Sequence, residues 1–194
     1  IKNNCGGDID KFHQEYPATP EEAFIATGTG VFDNKAIIIR LRMIEEEAAP
    51  RCGRFTYKEE RQGLDRIILR KIKFSADERG EILIFKEPVK GRPYTLGGDT
   101  AGEGSDYFTA QVIDNITGEQ VARLRWQRCD EDDYAKQVYC LGRYYNWALI
   151  ALEVNYSTHP QKVLEYLQYP NMYVREVFDT YAGKMRQSFG YATT

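Results

Sequence analysis

The chain has 194 residues, 42% of them hydrophobic, which suits one ordinary domain with a buried core plus shorter extra segments. Its formal net charge of −3 does not favour a nucleic-acid binder, but it is compatible with an enzyme whose clustered carboxylates bind cations. No apolar run of about 18 residues predicts a membrane span, and no signal peptide is expected. The two His and four Cys, without a C-x-x-C pair, argue against a zinc site and for a cytoplasmic protein with reduced thiols.

The first half of the chain divides into two predicted segments. Residues 1–50 are interrupted by glycine and proline, and they carry two short predicted helices at 19–24 and 33–47. Residues 51–93 form a predicted small β-hairpin unit, a segment separate from the rest of the chain. Its two strands are expected at 67–69 and 82–85, joined by a polar turn at 75–80.

The predicted core covers residues 94–194 and alternates strands with helices. Three strands come first, then a helix, a strand, a second helix and a fifth strand, which gives the order β-β-β-α-β-α-β. A hairpin meander followed by crossover helices predicts a mixed five-stranded sheet covered by helices. Right-handed crossover places the fourth strand beside the first and parallel to it. The expected strands are 94–99, 107–114, 119–127, 148–154 and 172–177, and the expected helices are 130–146 and 157–168.

Two acids end uncharged strands of this predicted sheet. Asp99 follows Tyr-Thr-Leu-Gly-Gly, and Glu153 follows Ala-Leu-Ile-Ala-Leu. If the first and fourth strands are adjacent and parallel, these ends lie about 4.8 Å apart. Two carboxylates that close repel each other unless a divalent cation lies between them, and oxygen ligands suit Mg²⁺ or Mn²⁺. Each acid alone is compatible with a loop-capping role, but the pair at matched strand ends favours a metal site.

The loop that follows Asp99 contains further acids between glycines. Its sequence, Asp-Thr-Ala-Gly-Glu-Gly-Ser-Asp, ends at Asp106, which either supports the metal or caps the turn. The two glycines allow the backbone to approach a ligand closely. Glu103 is expected to face solvent.

Basic residues near the same end of the sheet are candidate phosphate contacts. Arg123 and Arg125 lie on the third predicted strand, where charged side chains commonly form only a solvated face. Lys184 and Arg186 lie in the predicted loop after the fifth strand, and this loop is the preferred DNA contact. His159 closely follows Glu153, and it either touches substrate or belongs to the start of the second helix.

These motifs together resemble a known family. Residues 94–107, Tyr-Thr-Leu-Gly-Gly-Asp-Thr-Ala-Gly-Glu-Gly-Ser-Asp-Tyr, resemble the opening strand and loop of the nuclease domain of bacteriophage terminase large subunits, a ribonuclease H-like domain. Residues 12–24, Phe-His-Gln-Glu-Tyr-Pro-Ala-Thr-Pro-Glu-Glu-Ala-Phe, look like the segment after the ATPase domain of that DNA-packaging motor. Glu153-Val-Asn155 before a helix is similar to the strand that carries the second acid.

The resemblance implies a ribonuclease H-like fold and a metal-dependent endonuclease that cuts concatemeric double-stranded DNA inside the bacterial host cell. Asp99 and Glu153 would be metal ligands with Asp106 in support, and two Mg²⁺ or Mn²⁺ ions would activate water and stabilise the leaving oxygen. The implied partners are DNA, the ATPase domain, the small subunit and the portal. The family's remaining acid lies on a helix after the fifth strand. The sequence stops at Thr194 before such a helix, so this chain alone is expected to cut weakly or not at all.

Other functions remain open on the sequence alone. Residues 1–50 would be the linker or tail of the ATPase region, but no G-x-x-x-x-G-K-[S/T] phosphate-binding loop occurs anywhere, so ATP hydrolysis by this chain is not expected. A non-cutting module that binds DNA or docks on the motor is one alternative. A transposase or resolvase-type ribonuclease H-like nuclease is another.

Overall fold

A computed structural model describes Gly6, Lys11, Phe12, Tyr16, Tyr181 and residues 33–63, 66–101, 106–179 and 183–192. The chain divides into two compact units, residues 1–49 and 50–194, and each is described by itself. In the first unit the helix α1 spans Asn34–Glu46, close to the predicted 33–47. Asp33 accepts a hydrogen bond from the Ala36 N–H at 3.3 Å, as a helix-capping residue does. The other predicted helix, at 19–24, lies outside the described residues.

The second unit contains a large sheet, two helices and a small two-stranded sheet. No helix in the described ranges is long and apolar enough to cross a membrane. The elements in chain order are β1 (Arg51–Arg61), β2 (Ile67–Ala76), β3 (Ile82–Ile84), β4 (Tyr94–Asp99), β5 (Tyr107–Asp114), β6 (Gln120–Gln127), α2 (Glu131–Tyr144), β7 (Leu149–Leu152), α3 (His159–Tyr166), β8 (Val174–Asp179) and β9 (Lys184–Phe189).

The large sheet has the strand order β2-β1-β3-β6-β5-β4-β7. β4, β5 and β6 form the predicted antiparallel meander. The chain then crosses over through α2, and β7 pairs with β4 in parallel. The predicted mixed α/β architecture is confirmed, with the first and fourth core strands adjacent and parallel.

Residues 51–93 extend this sheet in a way that the sequence did not indicate. The predicted hairpin between 67–69 and 82–85 is wrong, because β1 lies between β2 and β3 and pairs with both. β1 is rich in charged residues, which obscure its alternating pattern in the sequence. Its alternate residues Gly53 and Phe55 are nevertheless buried. The Phe55 ring packs edge-on against Phe74 at 5.3 Å, and its backbone N–H and C=O both bond the buried side chain of Gln137 at 2.9 Å.

The fifth core strand is interrupted. Met172 forms a parallel bridge with Ile150 at the edge of β7, but the chain then turns away into β8 and pairs with β9 instead. After β9 the chain returns, and Tyr191 forms a second parallel bridge with Glu153. The predicted strand 172–177 thus begins correctly and then leaves the sheet. Lys184 and Arg186 lie on β9, and the prediction of a loop there is wrong.

The core lies on the face of the sheet that α2 covers. Asp130 accepts a hydrogen bond from the Asp132 N–H at 2.7 Å and so caps α2. The apolar face of this helix is buried, and its aromatic side chains contact β4, β5 and β6. The buried residues of this face are Tyr134, Val138, Leu141 and Tyr145.

Candidate metal centre

Asp99 and Glu153 lie side by side at the ends of adjacent parallel strands. Gly98 of β4 is in register with Leu152 of β7, so the next position on each strand holds an acid. The Glu153 N–H donates to the Gly98 carbonyl at 2.8 Å and continues the pairing to that position. Residues in register on neighbouring strands point to the same face, here the face opposite α2.

The two carboxyl groups interact directly. Burial raises the pKa of Asp99, and the hydrogen bond with the Glu153 carboxyl and the charge of Glu153 raise it further. The Thr100 N–H lowers it in part, whereas the charge of Asp106 adds to the rise. A carboxyl that faces a second carboxyl keeps its proton to higher pH, because ionising both groups brings two like charges together unless a compensating charge is present. A divalent cation supplies that compensation.

The double glycine before Asp99 fits the strand end to the helix beneath it. A side chain at Gly98 would lie 2.5 Å from the Tyr134 hydroxyl and 2.6 Å from a Leu152 methyl, so only glycine fits. The Tyr134 hydroxyl donates to the Thr109 carbonyl at 2.8 Å and thereby anchors β5 opposite Asp99. Buried contacts on the α2 face thus hold the acid end of the sheet rigidly in place.

Asp106 lies nearby at the exposed start of β5. Its charge acts on Asp99, but the described ranges contain no group of three His, Cys, Asp or Glu side chains that could hold a metal. Residues 102–105, which include Glu103, lie outside the described residues. Among the described residues, the candidate metal centre therefore consists of Asp99 and Glu153. A metal role for Asp106 remains a prediction.

The donors around this pair fit a hard cation. The buried Thr100 hydroxyl, next to Asp99, has no hydrogen-bond partner among the described residues, and such a group commonly binds ordered water. Two carboxylates form an all-oxygen pair, which suits Mg²⁺ or Mn²⁺ better than soft metals. The described thiols are unpaired, and none adjoins the acid pair in sequence or strand register.

A row of polar side chains crosses the sheet through this centre. Asp99 is in register with Thr109 of β5, and Thr109 is in register with Arg125 of β6. The Arg125 guanidinium lies 3.6 Å from the centre of the Tyr107 ring, which holds its charge near this end of the sheet. Glu153 is in register with Tyr191 on the other side. We call the residues Arg125, Thr109, Asp99, Glu153 and Tyr191 the polar row.

The other predicted site residues lie elsewhere. Arg123 is in register with Gln111, two pairs further from the acids than Arg125. Lys184 and Arg186 are exposed on β9. His159 Nε2 lies 2.7 Å from Asp132 Oδ1, and the backbone N–H of His159 donates to the Ser157 hydroxyl at 3.1 Å. The contact with Asp132 ties α3 to the start of α2.

Tyr191 was missed by sequence reasoning. Nothing in the spacing after the predicted fifth strand indicates that the chain returns to the sheet. Gly190 is the one sequence feature that points to this return. Its φ is +76°, and its N–H donates a hydrogen bond to the Tyr173 carbonyl, which closes the base of the β8–β9 hairpin. A side chain at Gly190 would lie 2.5 Å from Val154 and 2.7 Å from the Leu152 carbonyl.

No protein-family model and no curated protein matches the chain. The large terminase nuclease of thermophilic phage G20c matches with 21% identity and a TM-score of 0.42, over 46% of this chain and 47% of that one. The same nuclease with bound magnesium matches with 15% identity and a TM-score of 0.37, over 58% and 80%. The Thermus phage P74-26 large terminase nuclease domain matches with 16% identity and a TM-score of 0.36, over 57% and 77%. The matched region spans about half the length of the first of these chains.

Proposed function

We propose that this chain carries the metal-dependent endonuclease activity of a phage DNA-packaging terminase large subunit. The observation that carries the proposal is the Asp99–Glu153 pair, two hydrogen-bonded carboxyls at the ends of adjacent parallel strands. The terminase setting rests on the sequence resemblance of residues 12–24 and 94–107. In that setting the substrate is double-stranded DNA in the cytoplasm of the bacterial host. The partners would be the ATPase domain, the small subunit and the portal.

The positions of these side chains indicate a role for each of them. Asp99 and Glu153 would hold Mg²⁺ or Mn²⁺, with Asp106 in support. A divalent cation at such a site supplies Lewis-acid activation of water and of the phosphate group. The Arg125 guanidinium, fixed on the Tyr107 ring, would donate to phosphate oxygens of the bound strand. The side-chain contacts beneath Gly98 would keep the acids at a fixed separation, which saves reorganisation when DNA binds.

One observation favours a second function. No third acid joins Asp99 and Glu153 within the described ranges, and one dication normally takes more oxygen ligands than two carboxylates supply. A chain that binds cation and DNA here without cutting would serve as a DNA-binding or docking module of the motor. Cation-dependent DNA binding without strand cleavage is the expected result of that alternative.

Plasmid nicking by the 194-residue chain in Mn²⁺, in Mg²⁺ and in EDTA tests the proposal. We expect slow nicking with either cation, at the low rate that two described carboxylates support, and none in EDTA. Asp99→Asn and Glu153→Gln should each reduce the rate by at least about 100-fold, because each removes a charged ligand. Glu60→Gln is the matched control, since Glu60 is an exposed acid on the β1–β2 hairpin.

Calorimetric titration of Mn²⁺ separates cutting from cation binding. Asp99→Asn and Glu153→Gln should bind Mn²⁺ much more weakly than the wild type, whereas Glu60→Gln should bind it equally. Cation binding with no nicking by the wild-type chain would replace the endonuclease proposal with the binding module. Nicking that is equal in the wild type and all three variants would overturn the assignment of the site.

A further inference from the structure

The fifth member of the polar row, Tyr191, comes to the acid pair from a distant part of the chain. The C-terminal hairpin (β8 and β9) leaves the sheet after Tyr173 and returns at Gly190. Tyr191 then accepts a backbone hydrogen bond from the Val154 N–H at 3.0 Å and donates one to the Leu152 carbonyl at 3.1 Å. These two bonds flank Glu153 and set Tyr191 directly beside it.

The register also fixes the direction of the side chain. Paired residues on parallel strands point to the same face of a sheet, so Tyr191 shares the face of Glu153 and Asp99. Burial raises the pKa of Tyr191, and the charges of Glu153 and Asp99 raise it further. The side chain is half-buried, which leaves it accessible to a ligand at the acid pair.

A phosphodiester at this centre needs hydrogen-bond donors as well as a cation. Ionised carboxylates only accept hydrogen bonds, and they repel the phosphate oxygens directly. Thr109 and Arg125 offer donors on the β5 and β6 side of Asp99. On the Glu153 side, the phenol hydroxyl of Tyr191 is the donor that the row provides, and it is uncharged at neutral pH.

We infer that Tyr191 is a substrate-binding residue of this site, whose hydroxyl donates a hydrogen bond to a phosphate oxygen of the DNA strand held by the cation at Asp99 and Glu153. This inference rests on the proposed function and extends it to a residue outside the strands and loops that carry the acids. It also gives the β8–β9 hairpin a structural reason to close at Gly190, since that closure sets the position of Tyr191.

The test is the affinity of the 194-residue chain for a short labelled DNA duplex, measured by fluorescence anisotropy in Ca²⁺ and in EDTA. Tyr191→Phe removes only the hydroxyl, and Tyr181→Phe, at a fully exposed position on the same hairpin, is the matched control. In Ca²⁺, Tyr191→Phe should bind about tenfold more weakly, the usual effect of losing one hydrogen bond to a charged acceptor. In EDTA it should bind like the wild type, and Tyr181→Phe should do so in both solutions.

A double variant distinguishes phosphate binding from a structural role. If the hydroxyl binds a phosphate held by the cation, adding Tyr191→Phe to Asp99→Asn should cause no further loss of DNA affinity. Equal losses in Ca²⁺ and EDTA, a lowered Tm that accounts for the loss, or the same loss in the double variant would each overturn the inference. Wild-type binding that does not respond to Ca²⁺ would overturn the proposed function and this inference together. A wild-type response to Ca²⁺ that Tyr191→Phe retains in full would overturn this inference alone.

Discussion

An aspartate lies at each end of the central sheet, and the surroundings shift the pKa values of the two carboxyls in opposite directions. Asp114 ends β5 at the end of the sheet far from Asp99, since the two strands are antiparallel. Burial acts to raise the pKa of Asp114, but the Arg92 guanidinium at 2.7 Å and the N–H groups of Ile116 and Thr117 outweigh it and lower that pKa. Asp99 faces a second acid, and its pKa is raised.

The difference separates a structural acid, Asp114, from Asp99, the acid that we propose to be functional. Asp114 is paired with a cation of the protein itself, so its charge stabilises the fold. Asp99 meets a like charge, and the protein holds it there through Gly98 and Tyr134 despite the repulsion. An acid pair kept in an unfavourable arrangement by rigid packing is typical of a site that binds an external cation. The following predictions test this contrast, from the largest expected effect on stability to the smallest.

Asp114→Ala should cause the largest loss of stability. The substitution leaves Arg92 without its buried partner and leaves the Ile116 N–H without its acceptor. Broken buried ion pairs and unsatisfied donors are among the most destabilising changes known. We expect the largest fall in Tm of any variant named here, measured by circular dichroism. Glu60→Ala, at an exposed acid, should leave Tm nearly unchanged, and equal Tm values for the two would contradict a structural role for Asp114.

Gly98→Ala should be the next most harmful change. Its methyl group would lie 2.5 Å from the Tyr134 hydroxyl, and overpacking of this kind costs about 1–3 kcal/mol of unfolding free energy. Gly97→Ala is a matched control on the same strand, because a methyl group there meets no atom within 4 Å. Urea denaturation of both variants gives the two free energies. A loss in Gly97→Ala as large as that in Gly98→Ala would show that backbone entropy matters more than the fit to Tyr134.

The acid end could be predicted from the sequence because two general rules determine it. Alternating hydrophobic runs locate β4 and β7, and right-handed crossover makes them parallel neighbours, so Asp99 and Glu153 must meet. The apolar face of α2 is likewise given by its periodicity. These features depend on local pattern and chain chirality, which a single sequence carries.

The remaining features depend on contacts between distant residues. β1 carries so many charged residues that its alternation is weak, and its place between β2 and β3 depends on Gln137, a residue of α2 that bonds Phe55. The fifth strand is divided by a hairpin whose pairing energy competes with that of the sheet, and no local pattern shows which pairing wins. Tyr191 could not be predicted because its position depends on that outcome.

Asp99→Asn and Asp114→Asn are the same substitution at the two ends, and they should shift Tm in opposite directions at neutral pH. In the Asp99→Asn variant the new carboxamide is neutral and can donate to Glu153, so the repulsion between the two ionised carboxylates disappears and Tm should rise by a few degrees. The Asp114→Asn variant loses the ion pair with Arg92, and its Tm should fall. Mn²⁺ should raise the Tm of the wild type and of Asp114→Asn, but that of Asp99→Asn only weakly. Shifts of the same sign in the two variants would remove the distinction between the ends.

The pH dependence of these Tm differences is the smallest effect and the most specific. The folded-state pKa of Asp99 lies above its ordinary value of 3.8, so the wild type has no repulsion below that pH and loses stability as pH rises through the folded pKa. The Tm of Asp99→Asn should therefore equal that of the wild type in acid and exceed it increasingly as pH rises. The folded-state pKa of Asp114 lies below 3.8, so its stabilising charge is present above that pH and is lost as pH falls through the folded pKa.

The Tm of Asp114→Asn should accordingly lie furthest below that of the wild type at neutral pH and approach it in acid. The Tm differences of the two variants from the wild type therefore both grow with pH, but with opposite sign. Asp99 is partly exposed, so water and salt screen its repulsion, and we expect a change on the order of 1–3 °C across the titration. Calorimetric melting of the three proteins in EDTA between acid and neutral pH measures both curves. Saturating Mn²⁺ should reverse the Asp99→Asn advantage at neutral pH, because the cation stabilises only a site with both carboxylates. A Tm difference for Asp99→Asn that is independent of pH would show that the carboxyl pair is not strained, and the contrast between the two ends of the sheet would then fail.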